Sequence, residues 1–180
     1  MSVYYFDSSA AVKKYVAETG TAWVLGLFKP SAKNIIYIAQ ITGVEVVSAI
    51  SRRFREGSLT QPAAQKSISR FKRDFQNKFR VLRLTDSVIS DAMRLSEIRG
   101  LRGYDAVQLA TVLELENRFA ANNLPSIIFI SADNQLNQAA QTEGLTIDNP
   151  NNYPYILRIE SRRFQLYENL ERRSRFELLP

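Results

Sequence analysis

Four carboxylates stand beside core-forming residues, in Phe6-Asp7, Val44-Glu45-Val46, Asp105-Ala106-Val107, and at Asp133 just past Ile130-Ser131-Ala132. An ionised carboxylate at the margin of a core is costly unless it is paired or meets a cation. Several acids sharing one site repel one another, which raises the pKa of at least one until a divalent ion neutralises them. The chemistry such a cluster supports is oxygen-ligated metal catalysis, with Mg²⁺ or Mn²⁺ as the hard ions that suit it. Composition narrows the field in the same direction. The chain has no Cys and no His, so thiolate zinc sites, a Cys nucleophile and the commonest neutral-pH base are all excluded. Each acid also has an ordinary use: Asp7, Asp105 and Asp133 as helix N-caps, Glu45 as a helix-surface residue. Only their common location sets the catalytic reading apart.

That location depends on the elements around them. Hydrophobic spacing predicts strands over 4–6, 34–39, 81–84, 127–130 and 145–147. Helices are expected over 10–16, opened by Ser8 and Ser9, and over 23–28, stopped by Pro30. Others are expected over 42–54 and, capped by Thr60, through about 77. Asp86 is expected to cap a helix carrying Val88, Ile89, Ala92, Met93 and Ile98; the last two span 104–119 and, from Asp133, run to Gly144. Strands alternating with helices imply an α/β domain around a parallel sheet with right-handed crossovers. Ligands of such sheets bind at the carboxyl ends of the strands. Asp7 and Asp133 follow their strands directly, Asp105 begins a helix after a Gly-containing turn, and Glu45 sits in the first turns of the helix after the second strand. All four are therefore expected at one edge of the sheet.

The motifs also resemble a known family. Tyr5-Phe6-Asp7-Ser8-Ser9-Ala10 with Val12-Lys13 and Tyr15, Thr42-Gly43-Val44-Glu45-Val46, Leu101-Arg102-Gly103-Tyr104-Asp105-Ala106-Val107-Gln108-Leu109-Ala110, and Ile130-Ser131-Ala132-Asp133 with Leu136, Ala139 and Gly144-Leu145 look like a PIN domain. Within that superfamily they resemble the VapC-type toxins of bacterial toxin–antitoxin pairs. The likeness runs over about 1–154, ending in Asn149-Pro150-Asn151. It implies an α/β three-layer sandwich with a five-stranded parallel sheet flanked by helices, and a metal-dependent endoribonuclease. Asp7, Glu45, Asp105 and Asp133 match the family's metal-binding acids, and Ser131 a Ser/Thr two residues before the last of them. Gln108 departs from the pattern, since relatives often carry His there. The resemblance further implies a homodimer and a small antitoxin that inserts a segment across the acidic cleft.

The chemistry expected of the cluster is cleavage of RNA by water activated on one or two Mg²⁺ or Mn²⁺ ions, with Ser8, Ser9 and Ser131 hydrogen-bonding the acids or capping helices. The formal charge of +6 and pI near 9.7 favour a polyanionic partner. Lys13, Lys14, Arg52, Arg53 and Arg102 lie nearest the motifs and are the candidates for RNA contact at the rim. Arg70, Lys72, Arg73, Lys78 and Arg80 form a second basic region on a peripheral helix. Tyr4, Tyr5, Tyr15 and Tyr104 are assigned mostly to the core by spacing. Residues 155–180 fall outside the α/β rhythm and read as a basic amphipathic helical extension, so the division is 1–154 and 155–180. No apolar run is long enough to span a membrane, and no secretory signal stands at the N-terminus, which makes the cytoplasm the expected location. Two other functions compete. A haloacid-dehalogenase-like phosphatase also places Asp after its first strand, but needs a second Asp where Ser9 stands; a catalytically inactive PIN-like module would only bind protein.

Overall fold

In the computed structural model of the chain the described residues are 2–154; the expected extension over 155–180 lies outside them. Five strands, β1 (Val3–Phe6), β2 (Ile35–Ala39), β3 (Arg80–Leu82), β4 (Ile128–Ile130) and β5 (Thr146–Asp148), form one parallel sheet in the order β3-β2-β1-β4-β5. The helices are α1 (Ser8–Ala11), α2 (Thr21–Leu27), α3 (Thr42–Arg55), α4 (Gln61–Asn77), α5 (Asp86–Arg99), α6 (Gly103–Ala121) and α7 (Asn134–Thr142). The expected α/β fold with a five-stranded parallel sheet between helical layers is the fold observed.

The central strands are apolar on both faces because both faces are covered. Alternation along β1 and β4 sends Tyr5 and Phe129 into the layer built by α5, α6 and α7, and Phe6 and Ile130 into the layer that includes α1–α4. Chain order reverses beside β1: the chain first winds out to β2 and β3, then returns to place β4 on the other side. Adjacent carboxyl ends there leave a crevice.

Several local expectations change in detail. The helix predicted over 10–16 is instead the short α1 followed by a 3₁₀ turn, Val12–Lys14. The tighter turn lets Lys13 and Lys14 point inward to fixed partners. Thr85 and not Asp86 caps α5, its hydroxyl accepting from the Val88 amide at 3.2 Å. On α5 the buried stripe is Val88, Ala92 and Leu95, while Ile89, Met93 and Ile98 stay exposed. Gly20, at φ +86°, lies so close to Pro150 that a Cβ would sit 2.3 Å from the Pro150 carbonyl oxygen. This contact docks the 3₁₀ turn Pro150–Asn152 against α2, where Trp23 and Tyr153 stack at 4.5 Å. No helix among the described residues is long and apolar enough to cross a membrane.

Candidate active site

Asp7 leaves the end of β1 and caps α1. Its Oδ1 accepts from the Ala10 amide at 2.9 Å and the Ser9 hydroxyl at 2.8 Å, and its own amide donates to Ile130 O at 3.1 Å. Asp133 repeats the arrangement after β4, capping α7 through Oδ1 to the Leu136 amide at 2.9 Å. For these two acids the ordinary and catalytic uses are compatible, because capping occupies one oxygen and Oδ2 is outside the cap. Ser9 joins the two strand ends: its hydroxyl also accepts from the Ala132 amide at 2.8 Å and lies 3.5 Å from Ser131 Oγ. Ser131 is fully buried and accepts from the Asp133 amide at 3.1 Å.

Glu45 and Asp105 enter from opposite helical layers, each in the first turn of its helix. Glu45 is held by Gln108, whose Nε2 donates to Glu45 Oε2 at 2.6 Å and to Thr42 Oγ1 at 2.9 Å. The Gln108 Oε1 accepts from the buried Tyr5 hydroxyl at 2.8 Å. Ser8, at the start of α1, also favours the charged form of Glu45.

Electrostatics tie the four acids into one series. Burial pushes Asp7, only 2% exposed, from the ordinary carboxylate range up to about 7, against the Ala10 and Ser9 hydrogen bonds, and the charge of Glu45 adds to the rise. Burial likewise raises Glu45, with Asp105 contributing, although Gln108 and Ser8 oppose it. Asp105 is raised by burial and then by Asp133, with Arg102 pulling the other way. The neighbours therefore run Asp7, Glu45, Asp105, Asp133, the four residues singled out in the sequence.

Among the described residues no three acidic side chains close around one point as a ready-made metal cage. Mg²⁺ does not require one, since it keeps several waters and binds through one or two carboxylates together with substrate phosphates. The donors here are all oxygen, partly desolvated and mutually repelling, and they suit a hydrated hard cation.

No protein-family model matches the chain. It is 28% identical over 147 residues to ribonuclease VapC45 of Mycobacterium tuberculosis (strain CDC 1551 / Oshkosh), covering 82% of this chain and 95% of the relative. The figures for ribonuclease VapC49 of strain H37Rv are the same. The chain is thus similar to ribonucleases named VapC. Among solved structures, PAE2754 of Pyrobaculum aerophilum superposes with a TM-score of 0.53 at 19% identity, over 84% of this chain and 85% of that one. VapBC2 of Rickettsia felis, crystallised with a DNA fragment from its promoter, gives 0.50 at 13% identity, over 82% and 98%. These two likenesses concern the fold.

The expected basic rim needs correction. Lys13 is buried; its Nζ donates to Thr19 O and Asn151 Oδ1, both at 2.9 Å, and pairs with Glu18 at 3.1 Å. Lys14 is buried too, ion-paired to Asp74 with its Nζ 4.5 Å from the centre of the Phe28 ring. Neither side chain faces a substrate: both hold the fold. Arg53 is tied to Glu18, and Arg52 is exposed beside Glu56. Arg102, exposed at the start of α6, is the one of the five whose charge is felt by a site carboxylate. Tyr104 is not core but 59% exposed next to Asp105, and Val44, 64% exposed, adjoins Glu45. The acids thus carry an apolar rim. Sequence reasoning did not assign Tyr5 and Thr42 to the site. The available signal was Gln108, one helical turn after Asp105 on the same face of α6.

Proposed function

We propose that the chain is a metal-dependent endoribonuclease and the toxin of a toxin–antitoxin pair. The observation that carries this is the run of four mutually repelling carboxylates at the carboxyl edge of the sheet, among them buried Asp7, raised to about 7. Homology to ribonucleases named VapC supports RNA as the substrate. Asp7, Asp105 and Asp133, with Glu45, are the residues that would hold Mg²⁺ or Mn²⁺. Such an ion supplies a water that ionises near neutral pH and offsets the charge of the phosphodiester. Asp7 would hold the cation as the carboxylate, and its cap bond and Ser9 keep that carboxylate aimed. Gln108 and Ser8 favour the ionised form of Glu45, which positions it to accept a proton from an attacking water. Ser131 fixes the loop that presents Asp133. Exposed Tyr104 offers a ring on which a substrate base stacks.

A small antitoxin and a second copy of the chain are the protein partners in this reading. Val44 and Tyr104 give an antitoxin segment apolar footing beside the acids, and a cytoplasmic location accords with both partners. The phosphatase alternative loses ground, because Ser9, where that chemistry needs a carboxylate, is committed to Asp7 and Ala132.

The test is cleavage of RNA by the purified chain with Mg²⁺ or Mn²⁺ against chelator, with Asp7→Asn and Asp105→Asn alongside. The expected result is metal-dependent cleavage that falls about a hundredfold or more in each variant, consistent with loss of a metal-holding carboxylate. Equal cleavage in chelator, or undiminished cleavage in both variants, overturns the assignment. A folded protein without any cleavage favours the inactive binding module.

A further inference from the structure

Between Glu56 and Asp86 the sequence carries seven cations, Lys66, Arg70, Lys72, Arg73, Lys78, Arg80 and Arg83, and a single acid, Asp74. That acid is buried, paired with Lys14 and 3.7 Å from Lys78. This stretch therefore holds an excess as large as the +6 of the entire chain. Lys72, Arg73, Arg80 and Arg83 are exposed and form no ion pair among the described residues.

The patch also reaches the acidic edge. The inner face of α4 is pinned to the start of α3, where a Cβ on Gly43 would lie 3.0 Å from the Phe75 ring, two residues before Glu45. Register pairs Tyr5 with Tyr37 and Ala39 with Leu82. Arg83, just past Leu82, thus leaves the same edge of the sheet as Asp7, two strand spacings away, or about 10 Å. There it lines an open groove of about 330 Å³ with Thr85, Thr111 and Arg118, the last neutralising Glu114.

We infer that the outer face of α4 and the β3 edge form the surface that binds the phosphate backbone of the substrate RNA, leading the strand to the acids. This inference rests on the ribonuclease reading and assigns the attraction that buried Lys13 and Lys14 do not supply. The composition of the surface selects its partner. A protein interface needs apolar or aromatic anchors at its centre and is depleted in charge there. The large exposed hydrophobics are Val44, Phe54, Ile89, Met93, Ile98, Tyr104 and Leu124, and none falls within 57–85. A polyanionic backbone needs only cations.

The experiment measures binding of a labelled single-stranded RNA to the full chain in chelator, across a salt series, so that cleavage does not enter. One variant replaces Lys72, Arg73, Arg80 and Arg83 with Gln. A control replaces Lys29, Lys33, Arg55 and Arg94, exposed cations elsewhere, and loses the same net charge. A third changes only Lys72 and Arg73, leaving the strand edge intact. The surface variant is expected to lose about tenfold or more in affinity at low salt, with a log–log salt slope shallower by about 0.7 per contact removed. The control is expected to stay near wild type, and the two-residue variant to fall between. Equal losses in surface variant and control reduce the effect to net charge and overturn the inference. So does unchanged RNA binding, including the case in which the surface variant loses only its binding to polyglutamate, which would make the face a protein contact. Absence of cleavage by the wild-type chain speaks against the nuclease reading alone and leaves this binding comparison intact.

Discussion

Gln108 shows how one neutral side chain organises a charged site. Its amide has a definite direction, because a carboxylate only accepts: Nε2 must face Glu45, which leaves Oε1 for the Tyr5 hydroxyl. A Leu at 108 strands the buried Tyr5 hydroxyl and releases Glu45. Gln108→Leu is expected to cost about 1–3 kcal/mol of stability in urea unfolding and to lower kcat for RNA more than it raises KM. A neutral His offers one donor and one acceptor, enough for Glu45 and Tyr5 though not also for Thr42, so Gln108→His should keep most of both. Equal behaviour of the two variants would deny Gln108 this role. The four acids were legible in the sequence because each sits beside an apolar run at an element boundary. The Tyr5–Gln108–Thr42 network was not, because hydrogen bonds between residues 103 positions apart leave no local pattern.

At the scale of elements, the turn after α1 is fastened to α4 by a buried ion pair. Burial lowers Lys14 to about 8 even with Asp74 beside it, and Asp74, which burial alone would raise, is held low by Lys14. Tyr15 adds a hydroxyl donor to Asp74 at 3.1 Å. Removing one partner abandons a buried charge, so Lys14→Met is expected to cost about 3–5 kcal/mol. Adding Asp74→Asn, which keeps an acceptor for Tyr15, should restore a large part of that loss in the same denaturation measurement. Additive losses would mean the two side chains are energetically independent. Periodicity found every strand and nearly every helix, since apolar spacing is a local property. It misplaced Lys13 and Lys14 because a buried cation is visible only once its distant acceptor is known. Tyr104 was misassigned for the converse reason: a helix's first turn projects past the layer it belongs to, and spacing does not show where cover ends.

Over the sheet as a whole, acidic and basic regions lie side by side. Among the described residues four acids gather at the carboxyl edge around β1 and β4, while a run of cations without ion pairs, Lys72, Arg73, Arg80 and Arg83, lies along α4 and β3. The crevice follows from strand order, which alternation of elements in the sequence supported without fixing. Whether the acids converge there tightly enough to draw in a divalent ion is tested most directly by calorimetric titration of the metal-free chain with Mn²⁺. Asp7 is protonated below about pH 7, so a cation must displace that proton, and binding has to strengthen as pH rises from about 6 to about 8. Saturable binding in the wild type with that pH dependence, and its loss in Asp7→Asn, is the expected result. No binding at either pH, or binding of equal strength in Asp7→Asn, would contradict it.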